Sequence, residues 1–369
     1  MSYYEENKAL VEALANCNRI EEVHGTQMLI KDIPDPISGT VLDPRVYERR
    51  KKAALEPNPL AECVELPVDL IREMPSYTGP GANETDVEME ELSFESRNGK
   101  TSLFCFTPKG GKAIKPAILY IHGGAYIAGS TKAVANFCKL LAEKCDAKVF
   151  SVEYRLAPEY KFPIGALDCY DAFNYIYWNA ESLSIDRRYI ALSGDSAGST
   201  LALDICIYER QGARLGIVPK NRICYQALIY PGVIITATRT DDYRFKLSDY
   251  EIPEDDELAV GAALSLKAMV GAMGFLYTGE EKVVDPIAAP LLQEDYIDFP
   301  KTTVALCEYD YLRLSGEAFA RKLDRDGVEH RTILYKGMDH SFIDETGRCP
   351  QAYDLAMEIA GDLKKICEN

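Results

Sequence analysis

Residues 189–192 form an apolar run that leads into Gly194-Asp195-Ser196-Ala197-Gly198, and a helical pattern follows at once with Leu201, Ile205 and Tyr208 on one face. Strand, sharp turn and helix around G-x-S-x-G is the context of a nucleophile elbow. Side chains flanking the serine would collide with neighbouring backbone in so tight a turn, so Gly194 and Gly198 supply room and permissive dihedrals. The pattern places Ser196 at the C-terminal edge of a sheet, beside the positive end of the following helix.

The rest of the chain is consistent with that placement. Residues 87–94 and 102–107 read as two strands joined by a turn containing Asn98-Gly99. Strands at 117–121, 148–152 and 223–229 then alternate with helical patterns, among them Val134, Phe137, Leu140 and Leu141, and a helix over 165–178. After an interruption the alternation resumes with strand 303–307, helix 316–326, strand 330–335 and a closing helix 351–367. Such alternation predicts an α/β fold, a mainly parallel sheet covered by helices on both faces. The interruption, about residues 233–285, is acidic and tyrosine-rich at first and then small and apolar (Ala259, Ala262, Ala263, Met269, Met273), and is expected to form a helical cap over the catalytic edge.

Residues 1–85 show no strong strand. Helices are expected over 5–16 and 44–55, the run Arg49-Arg-Lys-Lys52 reads as a solvated face, and Pro57, Pro59, Pro67, Pro75 and Pro80 interrupt the remainder. The expected organisation is an N-terminal arm, 1–85, that joins the insertion in a larger cap, and one domain over 86–369.

A serine nucleophile needs a base, an acid that orients the base, and N–H donors for an oxyanion. The chain has four histidines: His24 precedes the sheet, His122 sits in a glycine turn ahead of the serine, His330 begins a strand, and His340 follows that strand's C-terminal end. His340 alone lies both after the serine and at the catalytic edge, and it is the expected base. The acid belongs beyond a strand between Ser196 and His340, where Glu308-Tyr309-Asp310 follows strand 303–307. Asp310 is the candidate and Glu308 the reserve; Asp339, next to the base, is expected to point away. The oxyanion donors are expected from the Ala197 amide and from His122-Gly123-Gly124-Ala125 after strand 117–121, with His122 orienting the loop.

Composition narrows the function classes. A net charge of −17, dispersed along the chain, argues against nucleic acid and anionic membrane surfaces as partners. The eleven cysteines lack metal-ligand spacing, and Cys105, Cys206, Cys224 and Cys307 in apolar runs read as reduced core residues. No signal-peptide pattern is seen at the N-terminus and no apolar run approaches a membrane span, so a cytoplasmic protein without metal or cofactor is expected. A homodimer is left open.

Five blocks in order, Ile121-His-Gly-Gly-Ala125, Tyr154-Arg-Leu-Ala-Pro-Glu159, Gly194-Asp-Ser-Ala-Gly198, Asp310-Tyr-Leu-Arg-Leu-Ser-Gly-Glu317 and Asp339-His-Ser-Phe342, resemble those of the hormone-sensitive-lipase-like esterases, over about residues 86–367. The resemblance implies an α/β-hydrolase fold and hydrolysis of small-molecule carboxylic esters. It implies Ser196 as nucleophile, His340 as base, Asp310 as acid, and Gly123, Gly124 and Ala197 around the oxyanion hole. Arg155 and Glu159 would tie loops near the site. Ala125 and Asp195 are expected to touch substrate, Ala125 standing where the family's His-Gly-Gly-Gly has its last glycine. An amidase, arylformamidase or peptidase with the same triad, and a catalytically silent binding protein on this fold, are the competing readings. Short acyl chains are expected over long ones.

Overall fold

A computed structural model describes residues 2–56, 66–74, 79–235, 240–279 and 284–368. Pro57, Pro59 and Pro75 lie outside the described residues, as do parts of the cap segment.

The strands are β1 (Arg19–Val23), β2 (Thr26–Lys31), β3 (Val87–Ser96), β4 (Gly99–Pro108), β5 (Lys115–Ile121), β6 (Lys148–Val152), β7 (Ile185–Asp195), β8 (Tyr225–Ile229), β9 (Lys301–Cys307) and β10 (His330–Tyr335). They form one 10-stranded sheet in the order β1-β2-β10-β9-β8-β7-β5-β6-β4-β3. The run from β2 to β6 is parallel throughout, while β1, β4 and β3 join it antiparallel. Central strands such as β8, Tyr225–Ile229, are buried along their whole length, as a parallel sheet sandwiched between helices requires. The covering helices are α1 (Tyr3–Ala15), α2 (Pro44–Leu55), α3 (Val68–Glu73), α4 (Thr131–Cys145), α5 (Ile164–Trp178), α6 (Ala197–Arg214), α7 (Glu257–Leu264), α8 (Lys267–Thr278), α9 (Arg313–Arg325) and α10 (Pro350–Glu368). All ten described cysteines are free.

Three expectations are corrected. The N-terminal residues do contain strands: β1 and β2 form a hairpin whose two-residue turn, His24-Gly25, has φ of 49° and 78°, and β2 pairs in parallel with β10. The pattern was hidden because Lys31 occupies a core position. Its ammonium is fully buried against Asp354 at 3.1 Å, Glu358 at 2.6 Å and the Leu14 carbonyl at 3.0 Å. Next, Arg49 and Arg50 are not a solvated face. Both pair with the buried Asp339, and Arg49 also with Glu345, which fastens α2 beside the β10 end of the sheet. Asp339 does turn away from His340, toward these arginines. Finally, residues Glu257–Thr278 are a helical stretch of 22 residues long and apolar enough, by length and composition, to cross a membrane. In the fold it breaks at Ser265-Leu266 into α7 and α8, with Ala259, Ala262 and Ala263 fully buried.

Sheet edges are a liability because their unpaired backbone groups invite further strands. Here β1 presents Arg19, Glu21 and Glu22, and β3 presents Glu88, Glu90, Glu91 and Glu95, all exposed. Charge at both edges disfavours edge-to-edge association.

Candidate active site

The turn after β7 holds Ser196 at φ 53° and ψ −120°, a conformation that side-chain-bearing residues rarely adopt. The surroundings enforce it. A Cβ on Gly198 would lie 2.0 Å from the Ile121 carbonyl oxygen, and one on Gly194 would lie 2.6 Å from the Gly198 carbonyl. The Ser196 amide donates to the Ile229 carbonyl at 2.9 Å. Ser199 clamps the same turn, its hydroxyl meeting the Gly194 carbonyl at 2.5 Å and the Ile229 amide at 2.9 Å. The sequence marks Ser199 only by its position three residues past the nucleophile, on the first turn of α6.

The elbow, β9 and β10 bring the three candidate side chains together. Ser196 Oγ lies 2.9 Å from His340 Nε2, and His340 Nδ1 lies 2.7 Å from Asp310 Oδ2. Asp310 is fully buried, and its other oxygen accepts the Leu312 amide at 2.9 Å, so it also caps the turn leading into α9. Burial pulls the His340 pKa down, but the Asp310 carboxylate, by charge and hydrogen bond, with Asp195 and Asp344 adding to it, more than offsets this, and the net shift is upward from the ordinary value. The reserve acid, Glu308, is engaged elsewhere, by Lys336 and by the Gly337 amide at 2.8 Å.

The glycine turn after β5 sits beside the elbow. Its first amide, that of Gly123, donates to Asp195 Oδ1 at 3.1 Å, and the same oxygen accepts the Tyr120 hydroxyl at 2.8 Å. Asp195 therefore holds this turn from within, although it also borders the cavity. The amides of Gly124 and Ala197 have no protein acceptor among the described residues. Gly124, at φ 115°, must be glycine, since a Cβ would meet the Ala128 carbonyl oxygen at 2.1 Å. Ala125 and Tyr126 follow with φ of 58° and 64°. Tyr126 is held there by the cap, its ring stacked 3.8 Å from that of Tyr277 on α8. The His122 ring stacks on Tyr154, and the Tyr154 hydroxyl donates to the His122 carbonyl at 2.9 Å. Arg155 binds Asp168 at 2.7 Å, and Glu159 binds Arg72 of α3 at 2.7 Å.

These groups open on a cavity of about 260 Å³. Leu266, Met269 and Met273 reach it from the cap, and Ile71 reaches it from α3 in the N-terminal segment. Asp344 also lines it; the sequence marks it only by its place four residues after His340, about one turn onward. Burial pushes the Asp344 carboxyl up to about 7, with Asp195 adding to the rise and His340 and Arg49 opposing it.

Residues 118–344 match the family described as alpha/beta hydrolase fold. The chain belongs to that family, within its hormone-sensitive-lipase-like branch, and is a carboxylic ester hydrolase. It is 31% identical over 227 residues to an arylesterase of Saccharolobus solfataricus, covering 61% of this chain and 68% of the relative. An ethyl acetate hydrolase of Pseudomonas putida is 29% identical over 269 residues, 71% of this chain and 77% of that one. Among solved structures, a hyperthermophilic esterase from the archaeon Pyrobaculum calidifontis superposes with a TM-score of 0.70 at 28% identity, over 89% of this chain and 99% of the other. With strand order, elbow and glycine turn all in place, this α/β hydrolase has the architecture its sequence blocks implied.

Proposed function

We propose that this esterase hydrolyses short-chain carboxylic esters through an acyl-enzyme on Ser196. The observation that carries the reading is the unbroken hydrogen-bonded line from Ser196 through His340 to Asp310, at 2.9 and 2.7 Å. Ser196 Oγ attacks the ester carbonyl carbon and its proton passes to His340 Nε2. The carbonyl π electrons move onto the oxygen, where the amides of Gly124 and Ala197 receive the developing charge. Collapse of the tetrahedral intermediate breaks the bond to the alkoxy oxygen, which takes the proton from His340 and leaves as the alcohol. Water then repeats the sequence on the acyl-enzyme, giving its proton to His340 and releasing the acid and free Ser196. Asp310 keeps the imidazole with Nδ1 protonated and stabilises the imidazolium that forms twice in each turnover.

The size preference rests on the cavity. Its volume of about 260 Å³ is small beside the roughly 300–1,000 Å³ of ordinary ligand pockets. Met269, Met273 and Leu266 bound it on the cap side. Each added methylene gains about 0.8 kcal/mol of burial until the wall is met, and then clashes. The test is kcat/KM across p-nitrophenyl esters from acetate to palmitate, with labelling of Ser196 by a fluorophosphonate. An optimum at about two to six acyl carbons, with label on Ser196, is the expected result. A rate still rising beyond about ten carbons overturns the size preference, and label on another residue overturns the nucleophile.

A further inference from the structure

The catalytic cavity has a wall that takes no part in the ester chemistry. Leu266, Met269 and Met273 make its cap side apolar, whereas the side beyond the base carries Asp344, on the short helix Phe342–Glu345. Asp344 keeps accessible surface, and among the described residues its carboxylate accepts no hydrogen bond and has no lysine or arginine within ion-pair distance. Arg49 is close enough to favour its ionised form, but the Arg49 guanidinium is spent on Asp339 and Glu345. Asp195, 4% exposed, borders the same cavity and is close enough to oppose ionisation of Asp344. Asp195 Oδ1 holds the Gly123 amide and the Tyr120 hydroxyl, while Oδ2 accepts nothing among the described residues. No lysine or arginine is among the described residues that line the cavity.

A carboxylate drawn partly out of water with no protein counter-charge is costly, and a cation entering the cavity would relieve it. The chemistry decides which part of the ester would bring that cation. The departing alkoxy oxygen takes its proton from His340 Nε2, so the alcohol part lies on the His340 side, and the acyl chain is left to the methionines of the cap. Asp344 follows His340 by one turn and is close enough to raise its pKa. One feature opposes a cation here: the imidazolium formed on His340 during turnover has the same sign. Three carboxylates, those of Asp310, Asp195 and Asp344, act on His340 against those two positive charges. A cation beside Asp344 also draws that carboxyl into its ionised form.

We propose that Asp344 selects esters of amino alcohols, pairing with a protonated or quaternary nitrogen on the leaving group; this rests on the acyl-enzyme reading above. Choline butyrate and isoamyl butyrate, nearly alike in shape and different in charge, test it through the butyrate that the full chain releases. The quantity read is the ratio of their kcat/KM values, choline ester over isoamyl ester, from which the titration of His340 cancels. Choline is also the better leaving group, but that advantage does not depend on Asp344. In the wild type the ratio should rise about three- to tenfold between about pH 6 and pH 8, as the free enzyme's Asp344 ionises. Burial, Asp195 and Glu345 hold that carboxyl up, to about 7, against His340 and Arg49. Asp344→Asn should lower the ratio at about pH 8 by about five- to twentyfold and make it independent of pH. A wild-type ratio flat with pH overturns the proposal, and this arm decides even where the variant does not fold. A ratio that a folded Asp344→Asn leaves unmoved also overturns it, and would mean that the −17 charge of the whole chain draws the cation. Either result with Ser196 still labelled by a fluorophosphonate leaves the acyl-enzyme reading standing; label on another residue removes that reading and this proposal with it.

Discussion

Asp195 grips the Gly123 amide, its Oδ1 accepting that N–H at 3.1 Å and the Tyr120 hydroxyl at 2.8 Å. The residue before the nucleophile thus ties the glycine turn to the elbow, and of the three expected oxyanion donors Gly123 is the one already occupied. A Cβ on Gly123 would lie 2.2 Å from Asp195 Oδ2, so a side chain there would displace the carboxylate that holds the turn. Asp195→Ala should cut kcat about 10- to 100-fold with KM little changed, because Gly124 loses its support while the cavity wall stays. Asp195→Asn, which keeps an acceptor oxygen, should recover most of the rate. A loss confined to KM would instead make Asp195 a substrate contact.

Ser196→Ala should lower kcat by about 10⁴-fold or more, since among the described residues no other hydroxyl is hydrogen-bonded to His340 Nε2. Near-normal turnover in a well-folded variant would remove Ser196 from the mechanism.

Asp310→Asn should lose about 10²- to 10⁴-fold in kcat by leaving His340 in the wrong tautomer. Glu308→Gln should act on stability instead, because its carboxylate holds Lys336 and the Gly337 amide and not the histidine. Melting temperatures beside kcat separate the two effects, and reversed outcomes would make Glu308 the acid.

The pH dependence has two parts. His340 is raised above its ordinary 6.5, so kcat/KM should fall in acid with a midpoint above that value. The acid midpoint of the residual activity of Asp310→Asn should lie lower than that of the wild type, since burial is then opposed only by Asp195 and Asp344. A wild-type profile flat to about pH 4.5 would exclude a histidine base.

Asp344, raised from 3.8 to about 7, governs stability with the opposite sign from a salt-bridged carboxylate. Between those values the unfolded chain releases its proton while the folded chain keeps it. The folded state then binds more protons, and the contribution to stability declines as pH rises. Asp344→Asn removes that decline. Urea unfolding at pH 5 and pH 8 should show the variant gaining on the wild type at the higher pH; a difference independent of pH would mean that Asp344 is ionised throughout.

Met273 borders the cavity from α8 and is 7% exposed. Met273→Ala should move the optimum of the p-nitrophenyl series toward longer acyl chains by about two carbons, as side-chain volume is exchanged for substrate. An unchanged optimum would place the acyl chain away from the cap.

The sequence by itself determined the parts that are local. The elbow is legible because its glycines, its nucleophile and its flanking strand and helix lie within about twenty residues, and sterics leave that pattern few conformations. Strands β6 and β10 and helix α2 fall on the expected residues, since an apolar strand or a capped helix is specified by its own neighbours. His340 and Asp310 were reachable through chain order.

Tertiary structure decided what depends on partners far apart in sequence. β2 carries a lysine at a core position, and only the meeting with Asp354 and Glu358, more than three hundred residues on, makes that burial tolerable. Arg49 and Arg50 read as solvent-facing until Asp339 arrives from the other end of the chain. Gly123 read as a free donor until Asp195 was brought beside it. Charged and polar groups owe their burial to the group they meet, and one-dimensional pattern records the group and not the meeting.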